Sequence, residues 1–243
     1  PRRPQVAGAN LGQVIYIRSL RDARALREIA EHEKEIVIIG GGLVAMEAAA
    51  LLQAPKRKVT IMSRYQHLWQ NRLDAETAKW LTDHFLAHGV QLLMGESLNG
   101  FEGKTVLRNV QTKSGHRFPA GVAIVAIGAE PNLDLVANTP LSSPNGIPVN
   151  DLLETDESGI FAAGDVALYP DRLFGGVRRI EHYSCAVAQG AVAGANITGR
   201  KRTRFEFVPH FSTTLFGARL DVVGDFGRPP SRCEVVAGHR LDH

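Results

Sequence analysis

Three consecutive glycines, Gly40 to Gly42, follow an apolar run in the stretch EIVIIGGGLVAMEAA. In the spacing Gly40-x-Gly42-x-x-Ala45, the first glycine permits a tight turn and the second lets a ligand approach the backbone. The small Ala45 allows a helix to pack closely on a strand. A helix that begins here offers free N–H groups and a positive dipole end to an anion. The pattern, with Gly41, Leu43 and Val44 among its binding residues, predicts a site for the pyrophosphate of a dinucleotide.

A strand–turn–helix–strand order surrounds these glycines, as such a binding unit requires. The alternative is a glycine-rich turn in an unrelated parallel-sheet protein. The second strand of the unit usually ends in a carboxylate that binds the ribose hydroxyls and disfavours a 2′-phosphate. Here the strand ends VTIMSR, and the Ser63 hydroxyl and Arg64 guanidinium can both bind phosphate. We therefore expect the protein to prefer NADPH over NADH, with Arg64 as the main contact to the 2′-phosphate. The alternative is that Arg64 points into solvent and that the protein uses NADH or both coenzymes.

A second set of candidate residues occurs in TDESGIFAAGDVA. A short apolar strand, Ile160–Ala163, is expected to end at Gly164 and Asp165. Gly164 would allow close backbone approach, and the Asp165 carboxylate can accept hydrogen bonds from sugar-like hydroxyls. A helix cap is the alternative role for Asp165.

Alternating strands and helices must position these residues. The pattern predicts an α/β fold of the Rossmann-like, three-layer kind: a parallel sheet with helices and a β-hairpin or β-meander layer. The hairpin turns at Ser114–Gly115. The expected helices and strands have these bounds: helices 22–34, 42–53, 74–88 and 186–197, and strands 35–39, 58–62, 90–94 and 122–127.

Composition excludes several classes of protein. The 243 residues are 44% hydrophobic and 22% charged, with a net charge of +3 that is too small to indicate a nucleic-acid partner. Cys185 and Cys233 form neither a C-x-x-C motif nor a metal-ligand spacing, and we expect a reduced, cytoplasmic protein. No metal is expected. No membrane span is expected either, because the most apolar run contains three glycines and Glu47. The chain lacks an initiator Met, so its targeting cannot be judged.

The motif order resembles the two-dinucleotide flavoproteins of the pyridine nucleotide-disulfide oxidoreductase superfamily. In them the T…FAAGD segment is the second FAD-binding motif, which implies that Asp165 holds the ribityl chain. AIGAEPN, which contains Ile127 and Gly128, is similar to the segment that closes the NAD domain. Glu47 matches the superfamily's G-G-G-x-x-x-x-E pattern, which implies a place near the nicotinamide–flavin contact.

The stretch GGVRRIEHYSCAVAQGAVAGANITG resembles the subgroup without a redox disulfide. That subgroup comprises ferredoxin and rubredoxin reductases, monodehydroascorbate reductase and apoptosis-inducing factor. The resemblance makes Glu181 and His182 flavin-site candidates and directs the N-terminus of the following helix at the flavin. From the bare sequence, His182 reads instead as a core histidine. FVPHFSTTLFG is similar to the entry of that subgroup's C-terminal domain.

Two departures from the superfamily pattern indicate a fragment. The N-terminal FAD glycine motif is absent from this chain, and the C-terminal domain is expected to be cut short after Gly238. The expected domains are 1–13, the tail of a first FAD segment; 14–143, the NAD(P) domain; 144–204, the second FAD segment; and 205–243, the start of the C-terminal domain. Firm FAD binding by this chain alone is therefore in doubt.

The resemblance implies hydride transfer from NAD(P)H to FAD, with Glu47, Glu181 and His182 as positioning and tuning groups. Electrons would pass to a ferredoxin, rubredoxin or other iron–sulfur carrier, or to a quinone or ascorbyl radical. One alternative is a redox-sensing protein of the apoptosis-inducing-factor type that docks to a partner or to nucleic acid; another is an NAD(P)-binding fragment without turnover. A homodimer is left open. An acidic carrier could be steered by six basic residues: Arg178, Arg179, Arg200, Lys201, Arg202 and Arg204.

Overall fold

The computed structural model describes residues 1–199 and 202–225, which form two compact units. The first unit comprises Pro1–Ala129 and Thr214–Ala218, and the second comprises residues 130–213 and 219–225. Four positions named in the sequence analysis lie outside the described residues: Arg200, Lys201, Cys233 and Gly238.

The first unit is built around a five-stranded parallel sheet in the order β1-β8-β2-β3-β4, with a three-stranded antiparallel meander of β5, β6 and β7. Its elements in chain order are β1 (Val14–Ile15), α1 (Leu20–His32), β2 (Glu35–Ile39), α2 (Leu43–Leu52), β3 (Lys58–Ser63), α3 (Ala75–Ala87), β4 (Gln91–Met94), β5 (Leu98–Gly103), β6 (Leu107–Thr112), β7 (Arg117–Pro119) and β8 (Val122–Val125).

The central strand β2 is covered on both faces, because side chains alternate across a strand. Ile36 and Ile38 join the core that the three helices cover, together with Met46 of α2 and Phe85 of α3. Val37 and Ile39 join a second core against the meander, which includes Phe101, Leu107 and Val110. The arrangement confirms the predicted three-layer α/β fold.

The three helices of this unit begin differently. Ser19 and Asp22 form a capping box at the start of α1, and the Asp74 carboxylate accepts from two backbone N–H groups at the start of α3. Such caps satisfy donors that a helix cannot satisfy internally. Helix α2 has Gly42 as its N-cap and therefore no side-chain cap. The first turn of α2 therefore keeps backbone donors that the other two helices bond to their own side chains.

The second unit contains a small sheet in the order β11-β10-β9 and one long helix. The elements are β9 (Ile147–Pro148), β10 (Ala167–Pro170), β11 (Val177–Arg178) and α4 (Tyr183–Ile197). The expected strand over residues 160–163 is wrong: Phe161 makes only an isolated bridge with Glu154. Cys185 and Ala193 of α4 pack against Tyr169 of β10 and Leu153 in this unit's core.

A two-stranded ribbon closes the described part of the chain, with β12 (His210–Leu215) and β13 (Ala218–Val223). Leu215 is buried in the helix-side core of the first unit. Its carbonyl contacts His84 Nε2 of α3 at 3.0 Å, and the Phe216 ring stacks on His88. Among residues 1–199 and 202–225, no helix is long and apolar enough to cross a membrane.

Candidate nucleotide-binding sites

Position 40 requires glycine because of its backbone conformation and its close backbone neighbours. Its φ is +122°, and a Cβ at this position would lie 2.2 Å from the Ala126 carbonyl oxygen. Its N–H donates to the Met62 carbonyl at 2.8 Å. The carboxyl ends of β2, β3 and β8 therefore meet closely at Gly40, and any side chain here would force them apart.

Gly42, in contrast to Gly40, faces open space. Its φ of −92° suits any residue, and a Cβ added here would meet no atom within 4 Å. Open space at a glycine with ordinary backbone angles is what a close-lying ligand needs. Between these two positions, Gly41 fits under Ser63, whose Oγ would lie 2.7 Å from an added Cβ. The Gly41 carbonyl accepts from the Trp69 N–H at 2.8 Å, which fixes the turn.

The first turn of α2 follows directly after Gly42 in the chain. Ala45 is fully buried against the sheet, as the small-residue position of the motif predicts, whereas Val44 is 52% exposed. Leu43, Val44 and Ala45 come before the first intrahelical bond, which runs from the Met46 N–H to the Gly42 carbonyl. Their N–H groups form the donor cluster that an anion at a helix N-terminus would use.

Ser63 and Arg64 lie at the end of β3, beside the glycine turn. Ser63 is buried, and its Oγ accepts from the Tyr65 N–H at 3.2 Å. Arg64 is exposed; its Nη2 donates to the Tyr65 hydroxyl at 3.0 Å, and its guanidinium carbon lies 5.0 Å from the Tyr65 ring centroid. Of the two predicted phosphate contacts, Arg64 is thus the accessible one.

The remaining candidates of the first unit lie in the turn after β8 and within α2. Ile127 is 37% exposed, and Gly128, at φ +105°, follows it in the turn after β8. The Gly128 carbonyl accepts from the Arg2 N–H at 2.9 Å. Glu47 is half-buried within α2.

The second unit holds the other predicted motif. Gly164 has φ +79°, and its N–H donates to Gln189 Oε1 at 2.7 Å. The Asp165 carbonyl accepts from Arg179 Nη1 at 2.9 Å. The exposed Asp165 carboxylate makes no hydrogen bond or ion pair with the described residues. The helix-cap alternative for Asp165 is wrong, because the next helix, α4, begins at Tyr183.

His182 is the N-cap of α4. Its Nδ1 lies 3.3 Å from the Ser184 N and 2.9 Å from the Ser184 Oγ, and that hydroxyl donates to the His210 carbonyl at 2.8 Å. Burial lowers the pKa of His182; the charge on His210 lowers it further, and Asp165 opposes the shift. The half-buried imidazole also contacts the Phe211 ring. A cap was not among the roles that the sequence suggested for this histidine.

The four predicted basic residues that the structure describes each contact a carboxylate. Arg178 is paired with Asp171 and Asp225, and Arg179 lies 2.6 Å from Glu181 Oε1. Arg202 and Arg204 contact Glu154 and Asp151 at 2.6 and 3.3 Å. Each of these four arginines thus contacts a carboxylate, and the expectation that they help to steer an acidic carrier stays a prediction. Arg200 and Lys201 of the same basic run lie outside the described residues, and nucleic-acid docking stays an alternative.

Sequence reasoning missed Gln189 and Tyr65. Gln189 is 1% exposed and is the one long amide in the otherwise small and apolar run AVAQGAVAG, which was a usable signal. Tyr65 carried no signal, since an aromatic residue beside an arginine is common on protein surfaces.

Each unit carries groups of the kind that bind parts of a dinucleotide. In the first unit, the open face at Gly42 and the uncapped helix suit a pyrophosphate. In the second, a glycine with positive φ precedes an Asp165 carboxylate that has no hydrogen-bond or ion-pair partner among residues 1–199 and 202–225, which suits an acceptor for hydroxyl groups.

The chain belongs to the pyridine nucleotide-disulphide oxidoreductase family, whose profile matches residues 1–190. It is 32% identical over 225 residues to monodehydroascorbate reductase 4, peroxisomal, of Arabidopsis thaliana, covering 90% of this chain and 46% of that protein. It is 30% identical over 224 residues to rubredoxin-NAD(+) reductase of Pseudomonas putida, covering 92% and 58%. A crystal structure of a ferredoxin reductase from Rhodopseudomonas palustris superposes with a TM-score of 0.87 at 26% identity, covering 92% of this chain and 55% of that one. The chain thus spans about half the length of these relatives, and the resemblance seen in its motifs is confirmed.

Proposed function

We propose that the first unit binds NAD(P)H and that the protein to which the chain belongs is an NAD(P)H-dependent flavoprotein reductase. One observation carries the proposal: Gly40 is locked against Ala126 while Gly42 faces open space at an uncapped helix. The backbone N–H groups of Leu43, Val44 and Ala45 would bind the pyrophosphate. The turn at Ile127 and Gly128, together with Glu47, would position the nicotinamide end.

The same site would favour NADPH. Arg64 supplies an exposed guanidinium at the end of β3, where a carboxylate would have disfavoured a 2′-phosphate. The name of the Pseudomonas putida relative specifies NAD(+), so the preference has a clear competing outcome. Titrating the chain with NADPH and NADH by calorimetry decides between them. Equal or tighter NADH binding would contradict the Arg64 assignment.

The second unit would hold part of FAD, the cofactor that accepts a hydride from a reduced nicotinamide and releases electrons singly or in pairs. The Asp165 carboxylate would accept hydrogen bonds from FAD hydroxyls, and the Gly164 turn would allow close approach. Glu181 and His182 would tune this site: Glu181 is oriented by Arg179, and His182 fixes the start of α4.

The proposed acceptor class rests on the relatives. The relatives' names include a rubredoxin reductase, a ferredoxin reductase and a monodehydroascorbate reductase. We propose an iron–sulfur carrier as acceptor, with a small-molecule radical as the alternative.

One measurement and one matched variant test the flavin assignment. The measurement is a visible spectrum of the purified chain with and without added FAD, repeated after anaerobic NADPH. A flavin band that bleaches supports hydride transfer. The matched variant is Asp165→Asn, which should weaken FAD retention without changing NADPH binding in the first unit. A chain that binds NADPH but never FAD would limit the proposal to nucleotide binding.

Acceptor choice needs a separate assay. A bleached holoprotein is mixed with a ferredoxin, a rubredoxin or an ascorbyl radical, and reoxidation is followed by stopped flow. Faster reoxidation by either iron–sulfur protein supports the proposal, and faster reoxidation by the radical favours the alternative.

A further inference from the structure

Arg64 is held in place by its own neighbour. Its Nη2 donates to the Tyr65 hydroxyl at 3.0 Å, and its guanidinium carbon lies 5.0 Å from the Tyr65 ring centroid. An arginine side chain normally loses much rotamer freedom when it binds an anion. The cation–π contact and one hydrogen bond restrict that freedom before any ligand arrives.

The backbone around Arg64 is also fixed. The Tyr65 N–H donates to Ser63 Oγ at 3.2 Å. The carbonyls of Ser63 and Tyr65 accept from the N–H groups of Glu96 and Gly95, at 3.0 and 2.9 Å. The turn is thus tied to the end of β4 on both sides of Arg64. The Arg64 side chain itself donates to the Tyr65 hydroxyl.

Arg64 differs in its partners from the arginines of the second unit. Arg178, Arg179, Arg202 and Arg204 all contact carboxylates. Arg64 makes no ion pair among the residues that the structure describes, and its partner is a neutral phenol. A phenol orients the guanidinium without cancelling its charge. The other N–H donors of the guanidinium stay available for a phosphate.

From this geometry we propose that Tyr65 is a positioning residue that holds Arg64 ready for the 2′-phosphate of NADPH. The inference rests on the proposed NADPH preference and adds a second residue to it. The hydroxyl orients the guanidinium and the ring supports its planar face. Tyr65 would therefore contribute to discrimination between the two cofactors without itself contacting the phosphate.

The test uses two small probes that differ only in the 2′-phosphate: adenosine 2′,5′-bisphosphate and 5′-AMP. Calorimetry on the full chain gives the ratio of their Kd values, which needs neither FAD nor turnover. Arg64→Gln should bring the ratio close to one. Tyr65→Phe, which keeps the ring and loses the hydroxyl, should lower the ratio about threefold, and Tyr65→Ala should lower it about tenfold.

A matched control exists in the same unit. The Arg3 guanidinium lies 4.3 Å from the Tyr16 ring centroid, and the Tyr16 hydroxyl donates to the Ala9 carbonyl. Tyr16→Phe should leave the ratio unchanged. A purely structural role for Tyr65 would weaken both probes equally and would also leave the ratio unchanged.

The outcomes separate the two proposals. If Arg64→Gln abolishes the preference and both Tyr65 variants keep the full ratio, the role of Tyr65 is overturned while the NADPH assignment stands. If the unaltered chain binds both probes equally, both proposals fail. If neither probe binds, the nucleotide site itself is wrong.

Discussion

The side chain of Gln189 accepts a hydrogen bond from the backbone N–H of Gly164 at 2.7 Å. Gln189 is almost fully buried on α4, and Gly164 stands in a left-handed turn next to Asp165. The bond fixes the Gly164 turn to the helix whose first residues follow Glu181 and His182. Together with the bond from Arg179 to the Asp165 carbonyl, this amide connects the FAD-site candidates of the second unit.

Replacing Gln189 by Leu should leave the Gly164 N–H without its acceptor. We expect the free energy of unfolding to fall by about 1–3 kcal/mol, the cost of an unsatisfied buried donor. Urea denaturation measures it. Val187→Ala, at an exposed position of the same helix, should change stability by less than about 0.5 kcal/mol. Equal effects of the two changes would show that the hydrogen bond is unimportant.

Gly40 and Gly42 should respond differently to alanine. Gly40→Ala combines a positive φ with a clash against the Ala126 carbonyl, so we expect a loss of at least about 2 kcal/mol of stability. Gly42→Ala should change stability by no more than about 1 kcal/mol. Its added methyl occupies the open face, and NADPH affinity should fall about tenfold, equal to 1.4 kcal/mol. Thermal unfolding and calorimetry on both variants check this, and unchanged NADPH affinity in Gly42→Ala would place the pyrophosphate elsewhere.

The titration of His182 should make stability depend on pH. Burial lowers the pKa of His182 in the folded chain, so the unfolded chain binds more protons in the window below about 6.5. The free energy of unfolding should therefore decrease as the pH falls through that window. His182→Asn keeps an N-cap side chain and removes the titration. Urea denaturation at several pH values should show a smaller acid-side loss in the variant, and identical pH profiles would contradict the assignment.

The Cys185 thiol should be unreactive in the folded chain. It is fully buried, and burial raises the pKa of Cys185 to about 11, so very little thiolate exists at pH 8. In a Cys233→Ser background, a chromogenic disulfide reagent should label Cys185 only after urea is added. Rapid labelling of the native protein would show that this core opens readily.

Strand and helix periodicity predicted most of the first unit. Strand β2 matches its expected bounds, and α2 and α3 each begin and end within one residue of theirs. Strand β5 was missed because LNGFEG contains two glycines and an asparagine, which disfavour strands; it is held by pairing with β6. Helix α4 begins three residues earlier than expected, because His182 caps it.

Local sequence could identify the glycine motif and Asp165 but not the contacts that surround them. The partners of Arg178 lie 7 and 47 residues away, at Asp171 and Asp225. Such pairs depend on the tertiary path of the chain, which periodicity does not encode. The list of basic residues therefore could not predict these ion pairs.

The contact between Gly40 and Ala126 also affects how the protein could evolve. The position of the glycine turn is set by main-chain atoms, whereas the proposed discrimination between cofactors depends on Arg64 and Tyr65, at the surface of another turn. Mutations at 64 and 65 can therefore alter coenzyme choice with little penalty in folding. A laboratory lineage selected for the other coenzyme should accumulate changes at these two positions and keep Gly40.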